Sequence, residues 1–471
     1  MTVATPQREA VALGPRDRLE RLCDPGSFQA LRSGVVSRHP DARSQPGDGV
    51  VVGTGSVGRR PIFCYAQDPS FTAGSLGEAH ADSIVRVLEL AARARAPVVG
   101  FIESAGARLQ EGHAALAGYG RIFRASVQLQ DRVPQISVVT GVSAGGAAYS
   151  PALTDFVLMT EGARMFLTGP GVVRAALGEE VTMEELGGPG VHQRNGVCQL
   201  VASSDFGAVQ LARDVHGFLP QAVGEPAPLA APQPPCDGDP GAPIPEQARR
   251  VYDVRDVAAR IFDGGHMLEL DARWAPNMVT ALARLDGRAV GLLANQPWRI
   301  GGVIDAAAAE KAALFVRRCD RFRLPLVVLV DTPGFMPGKR QEAAAVIRHG
   351  ASLLSAFAGS SVPRVTVVLR RAYGGGVITM NSKDLGADMT FAWPSAEIGI
   401  MAAEQAVGVV HRRHLAAAED NGKVKAELAS AYAEDHLTPE AAAASGFIDE
   451  AIAPSETRSR LGGALASLEE R

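Results

Sequence analysis

The sequence predicts an α/β protein made of two tandem copies of one domain. Three observations carry this reading. Short apolar runs alternate with amphipathic stretches in a β-α-β-α-β order, the pattern of a sheet covered by helices. The whole order occurs twice, at an offset that stays between 228 and 231 residues. A proline-rich segment separates the two occurrences.

Taken in order, residues 1–26 predict a loose leader with one short helix, Arg16 to Leu22, ended by Asp24-Pro-Gly26. Gly49 to Gly55 and Arg60 to Ala66 predict two strands around the turn residues Ser56-Val-Gly58. Leu76 to Arg95 predicts a helix, because Ala81, Ile84, Val85, Leu88 and Ala91 recur at three- and four-residue spacing. Pro97 to Ile102 is an apolar strand closed by Glu103-Ser-Ala-Gly-Ala-Arg108. A helix at 114–130 leads into Val133-Pro-Gln-Ile-Ser-Val-Val-Thr-Gly-Val-Ser-Ala-Gly-Gly146, a buried strand ending in two adjacent glycines.

The second half repeats this. Val362-Pro-Arg-Val-Thr-Val-Val-Leu-Arg-Arg-Ala-Tyr-Gly-Gly375 matches the stretch from Val133, and Leu324 to Gly334 matches Ala96 to Gly106. So long a period points to duplication, because solenoid repeats are about 20–50 residues. The predicted domains are 1–220 and 248–471, joined by a stiff, extended connector at 221–247. A helix near Arg249 to Phe262 opens the second copy. Ala-rich helices at 403–434 and 438–445, a strand at 446–452 and a helix at 457–469 end it.

Composition excludes several classes. Apolar content of 46%, charged content of 21% and a net charge of −4 suit a globular protein without a nucleic-acid or membrane partner. No apolar run nears the roughly 20 residues of a membrane span. The first residues lack a secretory apolar region, so a cytoplasmic location is expected. Cys23, Cys64, Cys198, Cys236 and Cys319 are scattered without a CxxC pair, which predicts reduced thiols and no bound metal.

Gly141-Val-Ser-Ala-Gly145 matches the G-x-S-x-G elbow of serine hydrolases. The second copy has Ala372 where the first has Ser143, so the shared feature is the glycine pair and not the hydroxyl. Two glycines at a strand end let the backbone approach a ligand and aim N–H groups at it. Asp331-Thr-Pro-Gly334 resembles a GTPase D-x-x-G, but no P-loop accompanies it. Gly169-Pro-Gly171 and Gly187 to Gly190 predict loops, and His411 and His414 a solvated helix face. Glu103 and Asp331 occupy matching strand ends and are expected to be turn or helix-capping groups.

Together these stretches resemble the carboxyltransferase (β) subunit of the biotin-dependent acyl-CoA carboxylases, the propionyl-CoA and acetyl-CoA carboxylase group. The resemblance rests on Asp24 to Phe28, Gly106 to Gly112, Ala144 to Leu153, Phe166 to Pro170, Glu184 to Gly188, Asn295 to Pro297, Asp331 to Phe335, Gln341-Glu342, Ile347 to Ala351, Ala372 to Gly375 and Ala392 to Glu397, in family order. It implies two crotonase-like (ClpP/crotonase) ββα-superhelix domains in a cytoplasmic, homo-oligomeric enzyme, usually a hexamer. It implies a separate biotin carboxylase/biotin carboxyl carrier (α) subunit as partner, and a role in fatty acid or polyketide precursor biosynthesis.

The resemblance also implies the reaction. A carboxyl group passes from carboxybiotin to the α-carbon of a short- or medium-chain acyl-CoA, giving malonyl-CoA or a 2-alkylmalonyl-CoA. Two oxyanions then need two sets of preorganised donors, each donor being worth about 3 kcal/mol. By resemblance, Gly145 and Gly146 hold the acyl-CoA thioester oxygen, and Gly375 and Gly376 hold the biotin oxygen. Ser104, Gly106, Arg108, Ala144, Tyr373, Gly374 and Ile378 are the expected cofactor- and substrate-binding residues, with no metal. Ile378 falls where propionyl-preferring members commonly carry Asp, which points to a different or broader acyl range. Ala105 replaces a family glycine, and Ala343-Ala-Ala345 is expected to stiffen the helix after Gln341-Glu342. The alternatives are a biotin-dependent acyl-CoA decarboxylase chain, a serine hydrolase using Ser143, and a non-catalytic scaffold.

Overall fold

A computed structural model of the chain describes residues 12–247, 250–417 and 420–468. The chain divides into two compact units, up to Pro226 and from Ala227 onward.

The first unit holds an eight-stranded sheet: β1 (Gln29–Leu31), β2 (Val50–Val57), β3 (Arg60–Gln67), β4 (Val98–Ser104), β5 (Gln135–Ala144), β6 (Phe156–Thr160), β7 (Arg164–Phe166) and β8 (Leu200–Ala202). Its order is β1-β2-β3-β4-β5-β6-β8, with β7 paired to β5 beyond β6. The first three strands are antiparallel. From β3 onward the pairing is parallel, because each return crosses a helix. Helix Glu78–Ala94 buries Ala81, Ile84, Leu88 and Ala91 of the expected stripe, and Val87 in place of Val85, which is only half-buried. Full burial of each large aliphatic side chain contributes about 1.5–3 kcal/mol.

The second unit repeats the plan with β9 (Met267–Leu270), β10 (Met278–Leu285), β11 (Arg288–Asn295), β12 (Leu326–Thr332), β13 (Arg364–Tyr373), β14 (Met389–Ala392), β15 (Glu397–Gly399) and β16 (Glu450–Ala451). The order is β16-β14-β13-β12-β11-β10-β9, with β15 paired to β13. Its core gathers Val290, Leu292, Val327, Leu329, Val365, Val367 and Trp393.

Several local expectations shift. The strands β2 and β3 run to Val57 and from Arg60, so the turn is Gly58-Arg59, both at positive φ. That is the two-residue turn whose twist matches a hairpin. The leader is not loose from Pro15 on: Leu19 and Leu22 of helix Pro15–Leu22 are buried. Arg18, 3% exposed, reaches Asp205 and Glu103. The connector is pinned at its start to the first unit, where Val223 N–H bonds Arg132 O, and from Ala230 onward to the second. Ala230 N–H bonds Gly287 O, Cys236 N–H bonds Ala259 O and Gly264 N–H bonds Pro234 O.

The helix expected from Arg249 is only Val254–Ala258, capped by Asp253. Residues 248 and 249, including the expected start of the second domain, lie outside the described residues. The stretch 403–434 forms three helices, Ala403–Val410, Arg412–Ala417 and Asn421–His436; residues 418 and 419, and 469 at the end of the last helix, lie outside the described residues. Ala343-Ala-Ala345 breaks the helix instead of stiffening it. Helix Lys339–Ala343 stops there, and Ala345 sits at φ 59, ψ 43 before helix Val346–Ala358.

Candidate active site

Each unit builds the same turn from two neighbouring parallel strands. In the first unit β4 and β5 lie in register up to Ile102 and Val139, then slip so that Ser104 pairs with Ser143. In the second, β12 and β13 slip in the same way and Thr332 pairs with Ala372. After the slip β4 and β12 each turn sharply. Ser104 Oγ accepts the Gly106 N–H at 3.2 Å, and Thr332 Oγ1 accepts the Gly334 N–H at 3.2 Å. Gly106 and Gly334 sit at φ 103 and 114, which a side chain would disfavour.

Strands β5 and β13 lead directly into the glycine pairs. Gly145 takes φ 60 and ψ −124, and helix Gly146–Ala152 starts at once. Gly374 takes φ 57 at the matching point. The Gly145 N–H donates to the Phe166 carbonyl at 3.1 Å. Gly145, expected as an oxyanion donor, therefore shapes the turn while its N–H is already committed. Gly146 opens the helix, where first-turn N–H groups have no acceptor within the helix. Its repeat partner is Gly375, 229 residues on, in the first turn of helix Gly374–Thr379. Gly376, also expected as a donor, is buried, and a Cβ there would stand 2.8 Å from Gly334 Cα.

The reasons for glycine differ between the two turns. A Cβ on Gly146 would meet the Tyr119 ring at 2.8 Å. A Cβ on Gly375 would meet nothing nearer than Phe335 at 3.8 Å, and Gly375 is exposed with no positive φ. The fold does not need glycine at 375. Bare backbone facing open space is what a closely approaching ligand requires.

Beside Gly374 and Gly375 lies a pocket of about 500 Å³ lined by Val377, Ile378, Ile398, Ile400, His436, Ala442 and Phe447. Ile378 is 48% exposed there. So the structure brings Gly374, Gly375 and Ile378 together in one pocket. In the first unit it brings Ser104, Gly106, Ala144, Gly145 and Gly146 to one strand end. Tyr119 and His436 were not singled out from the sequence. Each sits in a helix with no motif around it, and only packing carries it to a glycine turn.

Three expected site residues turn inward. Arg108 is 2% exposed; its Nη1 contacts Asp48 Oδ1 at 2.7 Å and Glu111 Oε1 at 2.8 Å. Its Nη2 donates to the Ser75 carbonyl, and the guanidinium lies over Phe71. This is a structural ion cluster in which both terminal nitrogens are engaged inside the fold, while the buried Nε has no partner among the described residues. Burial pushes the Asp48 carboxyl up, with Arg108 opposing. Tyr373 is 8% exposed and its hydroxyl donates to Glu397 Oε2. Burial and that carboxylate both push its phenol up. Ser143 is fully buried and its Oγ donates to the Ala147 carbonyl at 2.9 Å, so it has no route to a substrate as a nucleophile.

Glu103 and Asp331 are not capping groups. Asp331, fully buried, binds Arg370 Nε and Arg371 Nε, each at 2.9 Å. Glu103 receives Arg18 and Thr140. Both acids tie down the strand end next to a glycine turn. Among the described residues no group of three or more His, Cys, Asp or Glu could hold a metal ion, and no helix is long and apolar enough to cross a membrane.

Comparison with known proteins accounts for this plan. Residues 6–471 match the carboxyl transferase domain family. The methylmalonyl-CoA carboxyltransferase 12S subunit of Propionibacterium freudenreichii subsp. shermanii is 44% identical, over 96% of this chain and 87% of its own length. The propionyl-CoA carboxylase beta chain of Saccharopolyspora erythraea is 40% identical over 97% of this chain and 87% of its own. The methylmalonyl-CoA decarboxylase subunit alpha of Veillonella parvula is 41% identical, covering 96% and 89%. A crystal structure of transcarboxylase 12S, described as a hexamer with methylmalonyl-CoA bound, superposes with a TM-score of 0.94 at 43% identity, covering 98% of this chain and 90% of that one. The duplicated sheet-and-turn plan is the crotonase-like fold of those enzymes, and the chain belongs to the carboxyl transferase domain family as a carboxyltransferase of the biotin-dependent acyl-CoA carboxylase and transcarboxylase group.

Proposed function

We propose that this chain moves a carboxyl group between carboxybiotin, carried on a separate protein, and the α-carbon of a short- or medium-chain acyl-CoA. The product is malonyl-CoA or a 2-alkylmalonyl-CoA. The observation that carries the reading is the duplicated turn with an open, unstrained glycine at 375 beside an aliphatic pocket. A pocket of that size suits a compact ring system with one polar edge, and biotin is such a group.

Bound at the Gly375 turn, carboxybiotin supplies the carboxyl group as CO2 and then a ureido nitrogen able to take the α-proton. The chain's own residues do the rest. The Gly375 N–H donates to the ureido oxygen where negative charge grows. The Gly146 N–H donates to the thioester oxygen as the α-carbon loses its proton. Preorganised donors of this kind need no reorganisation as charge develops. The Ser104–Gly106 and Thr332–Gly334 bonds hold the neighbouring strand ends in place. No side-chain base on this chain is invoked, which agrees with the inward-turned Tyr373 and Ser143. Assembly as a homo-oligomer, with a biotin-bearing α chain as partner and a cytoplasmic location, belongs to the same reading.

The 41% identity to a methylmalonyl-CoA decarboxylase subunit supports a second reading, in which the same site works in the direction of decarboxylation. One assay tests both. Acetyl-, propionyl-, butyryl- and longer acyl-CoAs are offered with a carboxybiotinylated carrier, and the corresponding malonyl-CoAs with free carrier. Transfer to at least one acyl-CoA is expected. Transfer only from malonyl-type substrates selects the second reading, and none in either direction refutes both.

A further inference from the structure

The pocket beside Gly375 is almost wholly aliphatic, its wall including Val377, Ile378, Ile398 and Ile400. Two side chains in the wall carry hydrogen-bonding atoms, Ser445 and His436. The Ser445 hydroxyl donates to the Ala442 carbonyl at 2.9 Å, so its proton is spent locally. His436 differs. It ends helix Asn421–His436 and is exposed. Its ring packs on Tyr432 with centroids 4.7 Å apart, which restricts its orientation. Neither ring nitrogen bonds to a polar group among the described residues. Either neutral tautomer keeps one N–H to donate.

We propose that His436 is a binding residue of this pocket, donating a hydrogen bond to a carbonyl-type acceptor on the polar edge of the ligand over Gly375. The inference rests on the proposed function, under which that ligand is the biotin head. An aliphatic wall penalises a polar edge that enters without a partner. The imidazole supplies the partner that the wall lacks. The bond exists before transfer and strengthens as charge grows on that oxygen, so it lowers KM and also raises kcat.

The test uses the full chain, methylmalonyl-CoA as carboxyl donor and biotin methyl ester as acceptor. His436→Phe is expected to raise the KM for biotin methyl ester roughly five- to tenfold, the scale of one hydrogen bond. Its kcat falls as well, while the KM for methylmalonyl-CoA stays within about twofold of wild type. His436→Gln retains an N–H donor and recovers most of the loss. A wild-type KM in His436→Phe, or a fall in kcat with KM unchanged, overturns the inference while leaving the function intact. Wild-type protein without any transfer strikes the function itself. Calorimetric titration with biotin methyl ester then still decides His436 without turnover: tenfold weaker binding by His436→Phe supports the role, and equal binding or none by wild type overturns it.

Discussion

Replacing Gly375 by alanine separates the demands of folding from those of chemistry. The added methyl meets Phe335 at 3.8 Å, ordinary van der Waals contact, and the backbone there has no positive φ. Alanine also lowers the entropic cost of a helical position by about 0.5–1 kcal/mol relative to glycine. Gly375→Ala is therefore expected to melt at or slightly above the wild-type temperature. The methyl nevertheless stands beside the N–H that the ligand oxygen must reach. Losing one oxyanion donor costs about 10²–10³ in kcat, or roughly 2.7–4 kcal/mol. The neighbouring Gly376→Ala gives the contrast. Its methyl would fall 2.8 Å from Gly334 Cα, a backbone atom that cannot swing away. Overpacking of that kind costs about 1–3 kcal/mol of stability. Calorimetry and the carboxyl-transfer assay on both variants distinguish them. A Gly375→Ala protein with wild-type transfer would refute the placement of charge stabilisation at this turn. A Gly375→Ala protein that unfolds would show that the glycine serves the fold.

Three other expectations follow from buried groups. Burial, with a nearby arginine adding to it, lowers His80 and His216 to about 3, so both are neutral when folded. The unfolded chain binds those protons below its own histidine pKa of about 6.5. Stability is thus fully present above pH 6.5 and falls as pH drops toward 3, by up to about 1.4 kcal/mol per pH unit per histidine. Urea unfolding between pH 7.5 and 5 should show this slope, and His216→Asn should reduce it by about one proton. Arg108→Met strands Asp48 and Glu111 in the interior and should cost about 3–5 kcal/mol in denaturant titrations. Unchanged stability with weakened acyl-CoA binding would instead return Arg108 to the ligand site. Ser143→Ala should keep full transfer activity and lose only about 1 kcal/mol, the worth of its bond to Ala147. Loss of turnover in a stable Ser143→Ala protein would revive the nucleophile.

Much of this molecule is legible in the chain itself. The recurrence of Val-Pro, Val-Val and Gly-Gly at one offset was enough to show a duplicated α/β domain and two matching glycine turns. Strand and helix types followed from periodicity, because a sheet covered by helices imposes it locally. Roles assigned residue by residue fared less evenly. Gly375 and Ile378 share a pocket, whereas Arg108 and Tyr373 point inward to Asp48, Glu111 and Glu397. Their partners lie between 3 and 60 residues away, and nothing near them in sequence tells a ligand-binding arginine from a structural one. Gly145 and Gly146 look alike as letters, yet one N–H is taken by Phe166.

Sequence alone thus determined the repeat, the element types and the positions of both turns, since local patterning and backbone freedom are properties of neighbouring residues. Tertiary structure decided which N–H groups remain unpaired, which charges are neutralised inside the fold and which side chains face the pocket. Those outcomes depend on burial and on partners brought together only when the strands pack.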